Sequence, residues 1–171
     1  MKKIFIILIF LLCAQITLGF DLRIGANGYG TLPIGALSNG IKFGFGFNGF
    51  LYFKPENMPV GFEIESGYSY SPGKIVDNLQ IIPLYLFGVY NLPTEFARTF
   101  VKLGVGLNFE TLKMDEGKMT NTDFGVKLGT GIEYLFFKNL GARFSANYIF
   151  IYEPETIGHF LEFQLGILYA L

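Results

Sequence analysis

The chain has 171 residues, a length that fits one domain. Its 13 basic residues stand against 14 acidic ones, which excludes the basic footprint that nucleic-acid binding requires. Aromatic residues make up 18% of the chain, glycines number 22 and there is a single cysteine, so a disulfide framework and thiol chemistry are excluded.

The first segment stands apart. Lys2 and Lys3 precede an apolar run from Ile4 to Leu12, and Thr17 and Gly19 supply small residues for cleavage. This is the pattern of a secretory signal peptide over residues 1–19. The run is shorter than the roughly 20 residues a spanning helix needs. Cys13 leaves with the signal, and Leu12 ahead of it is too bulky for a lipoprotein site. Loss of Lys2 and Lys3 takes the 13 basic residues to 11 against 14 acidic ones. The remaining domain is 20–171.

Turn signals cut that domain into eight runs: 22–32, 41–54, 60–71, 79–91, 99–111, 122–137, 140–152 and 159–171. The first (LRIGANGYGTL) is Gly-rich with a weak polarity pattern, and carries Arg23. In the second, Ile41, Phe43, Phe45, Phe47, Leu51 and Phe53 oppose Lys42 and Asn48. In the third, Val60, Phe62, Ile64, Tyr68 and Tyr70 oppose Glu63 and Glu65. The fourth (LQIIPLYLFGVYN) is apolar on both parities, an apolar wall inside the fold, and Pro83 marks a bulge or strand end. In the fifth, Val101, Leu103, Val105, Leu107 and Phe109 oppose Lys102, Asn108 and Glu110. In the sixth, Phe124, Val126, Leu128, Ile132 and Tyr134 oppose Asp123, Lys127 and Glu133. In the seventh, Phe144, Ala146, Tyr148 and Phe150 oppose Arg143 and Asn147. In the last, Leu161, Phe163, Leu165, Ile167, Tyr169 and Leu171 oppose Glu162 and Gln164.

Strand side chains alternate between two faces, so these parities are two surfaces. Every charged residue within these strands falls on one of them. An Arg or Lys facing lipid at mid-bilayer costs ~2–4 kcal/mol, so a spanning barrel needs this segregation, with the apolar face toward lipid. Most runs exceed the 9–11 residues of a tilted membrane strand. The reading is an all-β fold, an eight-stranded antiparallel up-and-down transmembrane barrel. Residues PENMP, LPTEF and FKN are its short periplasmic turns. The stretches 33–40, 72–78, 112–121 and 153–158 are its outer loops.

The inward parity collects Arg23, Lys42, Lys102, Lys127 and Arg143 with Glu63, Glu65, Glu110, Glu133 and Glu162. An eight-stranded interior is just wide enough to be filled by side chains, and enclosed charges must be paired. These ten residues are read as a structural network of salt bridges; a gated ion path is the functional alternative. Glu63 and Glu65 share a face, but no His or Cys accompanies them, so no metal or other cofactor is expected. His159 is the sole histidine, and its parity is opposite to that of Ser145, so no catalytic residues are assigned. The patterns GFGFNG, GVG and GTG lie inside strands and are not phosphate loops. Aromatics near strand ends, among them Tyr52, Phe53, Tyr90, Tyr134, Phe136, Phe137 and Tyr152, are expected as interfacial anchors.

The stretches QIIPLYLFGVYNL, FVKLGVGLNFE and FGVKLGTGIEYLFFKNLGARFSANY resemble the outer-membrane β-barrel domain family, the small OmpA/OmpX-type barrels of diderm bacteria. The resemblance covers residues 20–171. The alternation of Phe163, Leu165, Ile167, Tyr169 and Leu171 resembles an outer-membrane assembly signal, though the family usually ends in an aromatic and this chain ends in leucine. The resemblance implies the bacterial outer membrane, with membrane lipids and the assembly machinery as partners. It specifies architecture well and activity poorly. The expected protein is a non-enzymatic, monomeric barrel with a structural or envelope-maintenance role. The competitors are a lipid-modifying enzyme, a narrow ion-conducting barrel and a soluble periplasmic lipid carrier, the last with its faces inverted.

Overall fold

The computed structural model describes residues 19–35, 37–74, 77–92, 94, 97–114, 117–152 and 157–171. The signal segment expected over 1–19 lies outside these residues except for Gly19. The turn expected at LPTEF and the outer loop expected at 153–158 also lie largely outside them. Among the described residues the chain forms β1 (Phe20–Ile34), a single helical turn α1 (Leu37–Gly40), β2 (Gly44–Pro55), β3 (Val60–Pro72) and β4 (Asn78–Leu92). Then follow β5 (Arg98–Met114), β6 (Gly117–Leu135), β7 (Leu140–Tyr152) and β8 (Ile157–Ala170). Each strand pairs antiparallel with the next, and β8 returns to β1, so the sheet is a closed barrel without edges. An even number of strands brings both ends of the sheet together: the Leu171 N–H donates to the Leu22 carbonyl at 2.9 Å. We call this the terminal end and the opposite one the loop end.

Register fixes the barrel's geometry. Starting at Arg23, successive partners are Tyr52, Glu63, Phe87, Gly104, Lys127, Ile149 and Phe160, and Phe160 pairs with Pro33. One circuit thus returns to β1 ten residues along, from Arg23 to Pro33. A shear of ten over eight strands corresponds to a strand tilt of about 40°.

The two faces separate as alternation requires. Leu103, Leu128 and Leu165 are 58%, 53% and 67% exposed, whereas Glu63, Lys102, Lys127 and Arg143 are each 1% exposed. A soluble carrier would show the reverse. Chain alternation produces this inside-out arrangement, because every second residue from Val101 to Phe109 in β5, from Phe124 to Leu128 in β6 and from Leu161 to Tyr169 in β8 is apolar.

Three details differ from the sequence reading. The outer loop expected at 112–121 is a continuation of the sheet: β5 and β6 stay paired up to Met114 and Gly117. Thr111, Thr120 and Thr122 have β-branched side chains that suit this extension. Pro83 makes neither a bulge nor a strand end. It pairs with Asn108 in an unbroken β4–β5 ladder, while the β3–β4 pairing passes from Ser66–Leu84 to Ser69–Ile81 without a change of offset. The missing N–H falls on the β3 side, where the Ser66 hydroxyl donates to the Pro83 carbonyl at 2.9 Å. Lastly, residues 41–43 do not belong to β2. Ile41, expected outside, is buried, and forms an isolated bridge to Gly73 directly after α1.

Candidate functional site

The lumen is occupied at mid-height by a continuous chain of ion pairs. Arg143 on β7 grips Glu63 on β3 with both terminal nitrogens, Nη1 to Oε2 at 2.6 Å and Nη2 to Oε1 at 3.0 Å. Lys102 Nζ on β5 lies 2.9 Å from Glu63 Oε1 and 2.9 Å from Glu65 Oε2. Lys127 Nζ on β6 contacts Glu65 Oε1 at 2.5 Å and Glu162 Oε1 at 2.6 Å. Toward the terminal end, Arg143 Nη1 stands 3.6 Å from Glu133, which Arg23 reaches at 2.6 Å and Arg98 at 3.5 Å. Arg23 and Arg98 then share Asp21, at 2.8 and 3.1 Å. The chain joins Arg23, Arg98, Lys102, Lys127 and Arg143 to Asp21, Glu63, Glu65, Glu133 and Glu162, so its formal charge cancels. Remaining acceptors are met by amides. Gln164 Nε2 donates to Glu65 and Glu162, and Asn147 Nδ2 donates to Glu162 at 2.9 Å.

Two sequence assignments need correction. Lys42 is exposed and takes no part in the ion-pair chain, because α1 delivers the chain to residues 41–43 outside β2, and the strand's alternation does not reach them. Tyr52 is not an interfacial anchor: it is 1% exposed inside the barrel, and its hydroxyl accepts from Asn91 Nδ2 at 2.8 Å. Glu110 stands half-buried farther up β5, at the level of Ile81 and Asn121. Asp21 and Arg98 are the members the sequence reading missed. Each has the inward parity one residue beyond the strand boundary drawn for it, so parity continued by one step identifies both.

Aromatic rings surround the cations. Arg143 lies 4.2 Å over Phe50 and 4.5 Å over Phe100, Lys102 lies 4.3 Å over Phe87, and Arg98 lies 4.2 Å over Tyr52. Desolvated cations over ring faces gain ~2 kcal/mol or more, which offsets part of the burial cost. Room for the rings comes from inward glycines on neighbouring strands. A Cβ at Gly104 would collide with Phe87, at Gly61 with Tyr52, and at Gly131 with Phe100.

Toward the loop end, beside Lys127 and Glu162, the lumen keeps only a small pocket, lined by Tyr29, Thr31, Ser69, Ser71, Ile149 and Phe160 among others. Phe50, Tyr52, Phe87, Phe100 and Leu168 are all buried and fill the barrel among the ion pairs: Tyr52 and Phe87 are the cross-strand partners of Glu63, and Phe50 is that of Glu65. Ser145 faces inward, donating to Gln164 Oε1 at 2.8 Å, whereas His159 lies on the outer face with its Nδ1 3.2 Å from the Tyr148 hydroxyl. The two groups are on opposite sides of the wall and cannot act together on a substrate.

A closed sheet with an apolar outside and a charged, filled inside defines an integral outer-membrane β-barrel. The chain belongs to the outer membrane protein beta-barrel domain family, whose model matches residues 10–170. It is similar in fold to a major outer membrane protein from Thermus thermophilus, with a TM-score of 0.68 at 13% identity over 90% of this chain and 100% of that one. It is also similar to Neisserial surface protein A, with a TM-score of 0.64 at 15% identity over 90% and 97% of the two chains. Ail, the attachment invasion locus protein of Yersinia pestis, follows with a TM-score of 0.58 at 14% identity over 89% and 97%. No curated protein sequence matches the chain. The protein is placed in the bacterial outer membrane.

Proposed function

We propose that this protein is a non-enzymatic, closed barrel with a structural role in the envelope, working as a monomer that spans the outer membrane without conducting solutes. The observation that carries the reading is the cross-lumen ionic chain, with Phe50, Tyr52, Phe87 and Phe100 buried among its members. A filled eight-stranded interior has no room for an aqueous channel. The separation of Ser145 from His159 across the wall supports the absence of acyl-transfer chemistry. Its partners are outer-membrane lipids and, during biogenesis, the assembly machinery reading the terminal alternation from Phe163 to Leu171.

The test uses the purified protein in vesicles of phosphatidylethanolamine and phosphatidylglycerol loaded with a small fluorescent dye. Intact lipid and retained dye over hours are expected. Free fatty acid or lysophospholipid accumulating with the protein would place it among lipid-modifying enzymes, and rapid dye loss among pores.

A further inference from the structure

The lipid-facing wall is not uniform. One cross-strand row runs Val101, Thr130, Ala146 and Phe163 over β5 to β8. Its two middle members are small, and they open a shallow recess bordered by Val101, Leu128, Tyr148 and Leu161. The Thr130 hydroxyl donates to the Phe100 carbonyl at 3.0 Å, which satisfies its polar group within the wall. The rim on the loop-end side is different. Tyr148 borders the recess and holds its hydroxyl 3.2 Å from His159 Nδ1, with Phe150 packed against both rings at 4.6 and 5.3 Å. Tyr148 lies near the end of β7 and His159 near the start of β8, both toward the loop end of the barrel. An apolar trough thus ends in a hydroxyl and an imidazole at the level where aromatic side chains meet headgroups.

We infer that this recess is a binding site for one membrane lipid, whose acyl chain lies against Thr130 and Ala146 and whose phosphate headgroup meets Tyr148 and His159. The recess is continuous with the surface that hydrocarbon already covers, so its occupant is drawn from the bilayer. The polar rim favours a lipid over a second barrel, whose apolar wall would bury the Tyr148 hydroxyl and the imidazole against carbon.

The experiment reconstitutes the full barrel in nanodiscs of phosphatidylethanolamine and phosphatidylglycerol, transfers it to mild detergent, and counts retained lipid by native mass spectrometry. The wild type retains one phospholipid. Ala146→Phe fills the recess and lowers retention about tenfold, equivalent to 1.4 kcal/mol. His159→Ala weakens phospholipid retention but leaves diacylglycerol retention unchanged, because only the headgroup contact is lost. Should Ala146→Phe fail to fold on a heat-shift gel, Thr130→Leu reads the same recess. Equal retention by wild type and the recess-filled variant overturns the proposal. So does a dimer mass in the wild type that disappears on filling the recess, since the face would then join two copies.

Discussion

Arg143 and Glu63 meet across the full width of the lumen. Their strands, β7 and β3, are four apart in an eight-stranded ring and so stand on opposite walls, yet the side chains join through two hydrogen bonds of 2.6 and 3.0 Å. The pair ties the wall together through its middle, independently of the backbone ladder. Breaking a buried pair by removing one partner costs ~3–5 kcal/mol, because the other charge is stranded. Glu63→Ala should therefore lower urea resistance in micelles far more than Lys138→Ala, at an exposed turn position. Comparable unfolding midpoints for the two variants would mean that water solvates the interior charges.

Membership of the chain makes a finer prediction. Arg23 and Arg98 share Asp21, while Lys42 is exposed. Arg98→Ala should destabilise the barrel, because Asp21 and Glu133 each lose a partner, with a cost of ~1–3 kcal/mol for a half-buried group. Lys42→Ala should leave the urea midpoint within ~0.5 kcal/mol of the wild type. The reverse ranking would restore Lys42 to the interior.

The glycine and aromatic pairing predicts a steric effect. Gly104→Ala places a methyl group against Phe87, and overpacking of this kind costs ~1–3 kcal/mol. A Cβ at Gly28 would meet no atom within 4 Å, so Gly28→Ala should be tolerated. Heat-shift gels read both: the temperature at which the barrel loses its folded mobility should fall for Gly104→Ala alone.

Orientation of the wall is tested by charge insertion. Leu128 faces outward and Lys127, its chain neighbour, faces inward. Leu128→Arg should cost ~2–4 kcal/mol in a bilayer through lipid exposure of the charge. Spin labels at Leu103 and Leu128 should be accessible to oxygen and shielded from aqueous reagents, with the opposite pattern for a label at Lys42.

Parity made the wall readable. In β5, β6, β7 and β8 the alternation is strict enough that Lys102, Lys127, Glu133, Arg143 and Glu162 could be assigned inward from the chain alone. The same rule failed at Lys42 because it holds only while the backbone stays extended, and α1 interrupts it. It stopped one residue short of Asp21 and Arg98 because strand ends carry weak signals. Tyr52 was read as an anchor from its residue type, although its parity matches Asn48 and Phe50, both of which face inward. Which acid meets which base was beyond the sequence. Lys102 reaches Glu63 and Glu65 on β3, two strands away, only because the shear of ten brings those levels together.

The central claim is that the lumen is closed by side chains, and planar-bilayer recording of the purified wild-type protein tests it most directly. With Lys102, Lys127 and Arg143 locked onto Glu63, Glu65 and Glu162, and Phe50, Phe87 and Phe100 packed against these cations, the recordings should show no large, stable conductance step. Steady porin-sized steps that scale with salt concentration would contradict the account, since only an open aqueous path through the barrel could carry them.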